Sequence, residues 1–106
     1  MVVQYGIYWV ELDPTVGGEM AKTRPCVVVS PEDLNAYLTT VIIVPITSTI
    51  RSYPFRIGCS VLGRTGEIAA DQIRTIDKSR LKKQIDKLSE KEIGNLQDVL
   101  NRMLCE

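Results

Sequence analysis

Three polar clusters interrupt the apolar runs of this chain, and their residue types are those that hold and polarise a phosphate. The first is Glu19 with Thr23 and Arg24; the second is Thr47 and Ser48, behind Pro45 and Ile46; the third is Asp71 and Gln72 with Arg74. Arg24 offers a planar guanidinium fork that matches phosphate oxygens and stays protonated throughout the physiological range. Thr47 and Ser48 supply hydroxyl donors, while the carboxylate and amide of Asp71 and Gln72 can fix the arginine or read a base edge. Each cluster lies at the end of a strand-like run, so in a small curved sheet the three ends can meet on one concavity. Each residue type also has a plainer use: Arg24 in a salt bridge to Asp13 or Asp71, Thr47 and Ser48 in a capped turn, Asp71 as a turn residue.

The elements that must carry these groups follow from periodicity and turn chemistry. Residues 6–12 are rich in β-branched and aromatic side chains and close on Asp13-Pro14, which predicts a strand and a turn. Beyond it, Gly17 and Gly18 give the following loop conformational freedom, and Pro25 biases Arg24 toward an extended backbone. Residues 26–29 and 41–44 are short Val- and Ile-rich runs that predict strands buried on both faces, central in the sheet. Between them, Ser30-Pro31-Glu32-Asp33 predicts a short helix over 31–37 with Ser30 as its N-cap.

Residues 55–59 and 67–70 read as further strands, the second entered through a glycine-bounded loop at 63–66. Segments at 73–77 and 81–85 complete a meander of five to seven strands. The period then changes. Ser89 and Glu92 form a capping box, and Ile93, Leu96, Val99, Leu100, Met103 and Leu104 recur at helical spacing, so one apolar helix face must be buried. The expected architecture is mainly β with α: one domain over 1–106, a small, strongly bent antiparallel sheet or barrel with a C-terminal helix. Trp9 and Tyr8 are assigned to the core, which leaves Tyr53 and Phe55 as the aromatic residues placed to stack on a base.

Charge is balanced, with 13 basic and 13 acidic residues, so net charge selects no partner. Its distribution does more: residues 51–83 hold eight basic and three acidic groups, a net of +5, which places a local basic field on a neutral protein. Cys26, Cys59 and Cys105 are odd in number and widely spaced among apolar neighbours, the pattern of buried thiols in a reducing compartment. The chain has no histidine, which excludes mechanisms that need imidazole, and its cysteines have no metal-ligand spacing. There is no basic segment leading into an apolar stretch, and no apolar run nears the roughly 20 residues of a membrane span. A cytoplasmic protein with no membrane partner is expected.

With the three clusters in order, the chain resembles the MazF/PemK family of toxin endoribonucleases over nearly its whole length. The resemblance rests on Trp9-Val10 and Leu12-Asp13-Pro14-Thr15 leading to Gly18-Glu19, then Thr23-Arg24-Pro25 with Val27-Val28-Val29-Ser30-Pro31. It continues through Val44-Pro45-Ile46-Thr47-Ser48, Tyr53-Pro54 and Asp71-Gln72-Ile73-Arg74-Thr75-Ile76-Asp77. It implies a homodimer of small SH3-like barrels in the PemK/MazF/CcdB-like toxin fold. It further implies metal-independent cleavage of single-stranded RNA to 2′,3′-cyclic phosphate and 5′-hydroxyl ends, with no cofactor. By position, Arg24 and Thr47 take the catalytic pair. Glu19 and Gln72 shape the RNA site with Thr23, Ser48 and Arg74 in support, and Asp71 holds a place given an acid/base role in some members.

Some relatives carry a histidine where this chain has Gly18, so a mechanism through a loop histidine is closed to it. The base is then a carboxylate such as Glu19 or Asp71, an atypically deprotonated Arg24, or water. The implied regulator is a MazE-like antitoxin whose acidic, disordered tail lies along the basic groove and covers Arg24. The alternative is a CcdB-like toxin that binds gyrase without catalysis, and against it stands a C-terminal helix that ends Arg102-Met103-Leu104-Cys105-Glu106 with no aromatic wedge.

Overall fold

The computed structural model describes residues 1–12 and 23–105; Asp13, Gly17, Gly18 and Glu19 lie outside the described residues. Strand β1 (Gly6–Glu11) pairs with β2 (Thr23–Val28), which pairs with β3 (Thr40–Thr47). The short helix α1 (Glu32–Tyr37) connects β2 to β3, and β4 (Arg56–Val61) and β5 (Arg64–Ala69) form a hairpin. Strands β6 (Arg74–Asp77) and β7 (Leu81–Lys87) precede helix α2 (Glu90–Leu104). All pairings are antiparallel, in the order β4-β5-β3-β2-β1-β7, with β6 also on β3.

This is a bent sheet that folds around β3 and departs from the expected meander. The first half of β3 pairs β6 as far as Ile43, and its last two residues, Ile46 and Thr47, pair β5. Pro45, which has no N–H to donate, sits where the partner changes, a position a proline tolerates.

The Val and Ile runs of β2 and β3 are buried on both faces, as their composition predicts. Val27, Val44 and Ile46 face one core with Ile7, Ile68 and Leu96; Cys26, Val28, Val41 and Ile43 face a second with Tyr8, Val10 and Ile76. Helix α2 covers the first. Its capping box is present, with Ser89 Oγ accepting the Glu92 amide and the Glu92 carboxylate accepting the Ser89 amide. Leu96 is fully buried, and Ile93, Val99, Leu100 and Met103 pack around it. Among the described residues no helix is long and apolar enough to cross a membrane.

Three local expectations change. Ser30 does not cap α1: Pro31 holds that position without a side-chain bond, while Ser30 Oγ accepts the amide of Ile42 and donates to Asn35 Oδ1. That hydroxyl is better satisfied by tying α1 to β3. The turn before β5 is only Leu62-Gly63, both at positive φ with Val61 opposite Arg64, a tight two-residue hairpin. Arg64, Thr65 and Gly66 therefore belong to the strand. Phe55 sits at φ 64°, in the turn before β4.

Candidate functional site

The β2–β3 register sets the central pair of the site. Cys26 stands opposite Pro45 and Val27 opposite Val44; continued two residues toward the strand ends, this register brings Arg24 level with Thr47. Both line an open cavity of about 650 Å³. The ends of β2 and β3 give it Arg24, Pro25, Ile46, Thr47, Ser48 and Thr49, and β1 gives it Trp9. The β4–β5 hairpin adds Val61, Leu62, Arg64, Thr65 and Gly66, and β7 adds Ile85. The result is a largely apolar hollow with one guanidinium and three hydroxyls from neighbouring strand ends, and a second guanidinium from the hairpin.

Thr47 Oγ1 accepts the amide of Thr49 at 3.1 Å, which satisfies the oxygen and leaves its O–H as a donor. Arg24 is half-buried, and its carbonyl accepts the Cys26 thiol. Burial pushes that thiol up to about 12 against the opposing fields of Arg24 and Arg74. Cys26 is thus a neutral thiol at pH 7 rather than a nucleophile, and two guanidiniums lie near enough to act on it.

The other expected members divide between the cavity and its surroundings. Ser48 lines the cavity, and Thr23 is exposed at the start of β2. Arg74 is on β6 opposite Ile43. Asp71 and Gln72 are in a 3-10 turn after β5 and do not line the cavity. Asp71 does not approach Arg24 as a fixing partner; it takes Arg56 in a two-point bond, Nε to Oδ1 at 2.7 Å and Nη2 to Oδ2 at 3.3 Å. The Arg56 hydrogen bond holds the Asp71 carboxyl below the usual carboxylate range despite some desolvation.

Trp9, assigned to the core from composition, is instead 37% exposed in the cavity wall, opposite Pro25. Period-2 alternation puts Trp9 on the same face as the fully buried Ile7, but at Trp9 that face borders the open cavity. Arg64 and Arg56 also gained no role from the sequence. The glycines on either side put Arg64 in an expected loop, and the partners of Arg56 depend on the β4–β5 pairing.

Close approach of β5 fixes the Thr47 backbone. A Cβ on Gly66 would lie 3.1 Å from the Thr47 carbonyl oxygen and 3.2 Å from Ile46 Cγ2, so a methyl there presses β3 back by a few tenths of an ångström. Gly66→Ala is expected to cost about 1–3 kcal/mol of stability, read as a lowered urea midpoint with unchanged slope. A midpoint equal to wild type would show that β3 yields freely.

The sequence model of the PemK-like, MazF-like toxin of type II toxin–antitoxin systems matches residues 3–104. The chain is 40% identical over 70 residues to the endoribonuclease toxin MazF of Escherichia coli K12, a match covering 66% of this chain and 63% of that relative. It is 37% identical over 105 residues to the endoribonuclease MazF9 of Mycobacterium tuberculosis, covering 89% of this chain and 88% of the relative. Among solved structures, a MazE–MazF crystal structure from Deinococcus radiodurans superposes with a TM-score of 0.85 at 27% identity, covering 98% of this chain and 96% of the matched one.

Proposed function

The chain belongs to the PemK-like, MazF-like toxins of type II toxin–antitoxin systems, and from that premise we propose that it is an endoribonuclease that cuts single-stranded RNA with Arg24 and Thr47 at the scissile phosphate. The observation that supports this reading is that Arg24 and Thr47, level with each other when the β2–β3 register is continued, both line one cavity, together with a partly exposed tryptophan. RNA supplies its own nucleophile, so the protein needs chiefly to align the 2′-oxygen with the leaving 5′-oxygen and to stabilise charge between them.

In the reaction, the 2′-oxygen bonds to phosphorus as its proton leaves. Arg24 and the Thr47 O–H donate to the non-bridging oxygens as negative charge builds there. The phosphorus–5′-oxygen bond then breaks and the 5′-oxygen takes a proton, leaving a 2′,3′-cyclic phosphate and a 5′-hydroxyl. Asp71, held by Arg56 with its carboxyl below the usual range, is a weak proton acceptor; the 2′ proton goes to Glu19 or to water. Trp9 offers an indole face for a base beside the phosphate. Gln72 and Arg74 act outside the cavity, along the path of the flanking RNA.

The same reading makes the protein a cytoplasmic homodimer held in check by a MazE-like antitoxin, whose acidic tail competes with RNA for Arg24. The D. radiodurans structure, a complex of MazE with MazF, supports that partner class. The gyrase-binding alternative gains nothing, since the relatives named above are endoribonucleases.

The test is incubation of the purified protein with a long mixed-sequence RNA in EDTA, followed by mapping of both cut ends. Discrete cuts bearing cyclic phosphate and 5′-hydroxyl groups are expected, and intact RNA would remove the assignment.

A further inference from the structure

Outside the cavity, one ionised group is spent on an arrangement that the proposed chemistry does not use. Glu67 is only 4% exposed, in a strand whose neighbours Ile68 and Ala69 are core residues. A carboxylate in such a place costs desolvation that an apolar side chain would avoid. What it does instead is specific. Oε1 accepts the amide of Arg51 at 3.2 Å and Oε2 the amide of Ser52 at 3.0 Å, so one carboxylate gathers two consecutive backbone donors.

Arg56, its side chain 7% exposed, adds a contact to Oε1 at 3.4 Å and extends the network to Asp71. Its guanidinium also lies over the Tyr53 ring, 5.2 Å from the centroid. Residues 48–55 are all exposed, so core burial does not order this segment. Ser52 and Phe55 nevertheless hold positive φ, at 55° and 64°, a conformation that non-glycine residues keep only when their surroundings impose it.

The segment begins at the cavity. Thr47 pairs with Glu67 itself in the β3–β5 ladder, and Ser48 and Thr49 line the cavity before the chain reaches the two amides that Glu67 holds. Thr47 is thus fixed from both directions: backwards through the ladder, and forwards through the Thr49 amide on its Oγ1 and the clamped residues beyond.

We propose that Glu67, supported by Arg56 and Asp71, is a positioning residue that clamps residues 48–55 and thereby aims the Thr47 and Ser48 hydroxyls into the cavity. The role rests on the RNA-cleaving reading of that cavity and gives the site a component no motif carries. Glu67 touches no substrate; it acts through the backbone of Arg51 and Ser52.

Two measurements decide it. In the wild-type protein, amide hydrogen exchange at Arg51 and Ser52 is expected to be slower than at the equally exposed Ile50 and Tyr53. Equal rates would mean that no clamp forms. In Glu67→Gln, which keeps the shape but turns an NH₂ toward one of the two amides, that amide loses protection while the other keeps its acceptor, and in Glu67→Ala both lose protection. Cleavage of a defined RNA should fall in kcat by on the order of 10-fold to 100-fold, most in the alanine variant, because small displacements of an aligned group carry costs of that size. KM should change by less than about 3-fold, since Arg24 and Trp9 still bind. With kcat taken per folded molecule, a merely structural role would lower the melting temperature and leave both kcat and KM near wild type. Wild type that cuts RNA while Glu67→Gln matches it in kcat overturns the positioning role alone. Wild type that leaves RNA intact overturns the reading of the cavity and this role with it.

Discussion

Arg24→Ala should reduce RNA cleavage by about 10²–10³-fold, the loss seen when one preorganised donor is removed from a developing oxyanion, with no drop in melting temperature. The magnitude follows from what the residue supplies. A guanidinium places two parallel donors on a phosphate in fixed geometry, so Arg24→Lys, which keeps the charge but loses the fork, should recover only part of the rate. Thr47→Ala should cost less, since a neutral hydroxyl contributes one uncharged hydrogen bond. Arg24 is half-buried at a strand end and outside both cores, so the fold should not notice its removal. Single-turnover cleavage of one defined RNA, with a melting curve for each variant, separates the effects. An Arg24→Ala protein that cuts at wild-type rate would remove the residue from the chemistry.

The second large effect concerns stability. Leu96 is the fully buried residue of α2, seated on a core that includes Ile57, Cys59 and Ile68. Leu96→Ala should cost about 2–5 kcal/mol, combining lost burial with a cavity that β4 and the 3-10 turn beneath the helix can only partly close. For a domain of this size each kcal/mol moves the melting temperature by roughly 4–8 °C, so a fall of about 10 °C or more is expected. Leu96 does not line the cavity. Cleavage per folded molecule, measured well below the melting temperature, should therefore stay near wild type. A loss under about 1 kcal/mol would mean that α2 merely rests on the sheet.

The parts of this molecule that can be read without coordinates are those fixed by local chemistry. The Val and Ile runs announce strands buried on both faces because nothing polar interrupts them. Ser89 and Glu92 announce a helix start because both halves of the reciprocal cap lie within one turn. Arg24 and Thr47 are legible as residue types that suit phosphate, and their order along the chain carries the family likeness.

What cannot be read are the partners chosen by pairing. Ser30 has the composition of a helix cap, yet its hydroxyl finds Ile42 across the β2–β3 connection. Asp71 invites a bond to Arg24, yet the hairpin brings Arg56 to it first. Trp9 looks like core because it is large and apolar; alternation fixes its face, but not that the face opens on a cavity. Glu67 sits in an otherwise apolar strand, and its use depends on a segment more than a dozen residues earlier turning back onto it.

The register that levels Arg24 with Thr47 is the same one that places Val27 opposite Val44 in the first core and Cys26 and Val28 on the second. A slip of one residue would turn every one of those side chains to the wrong face. Mutations that misalign the two strands are therefore discarded as unfolded chains before catalysis is ever put to the test. Drift in sequence can alter the loops around the cavity, while the alignment that the proposed reaction needs is inherited with foldability itself.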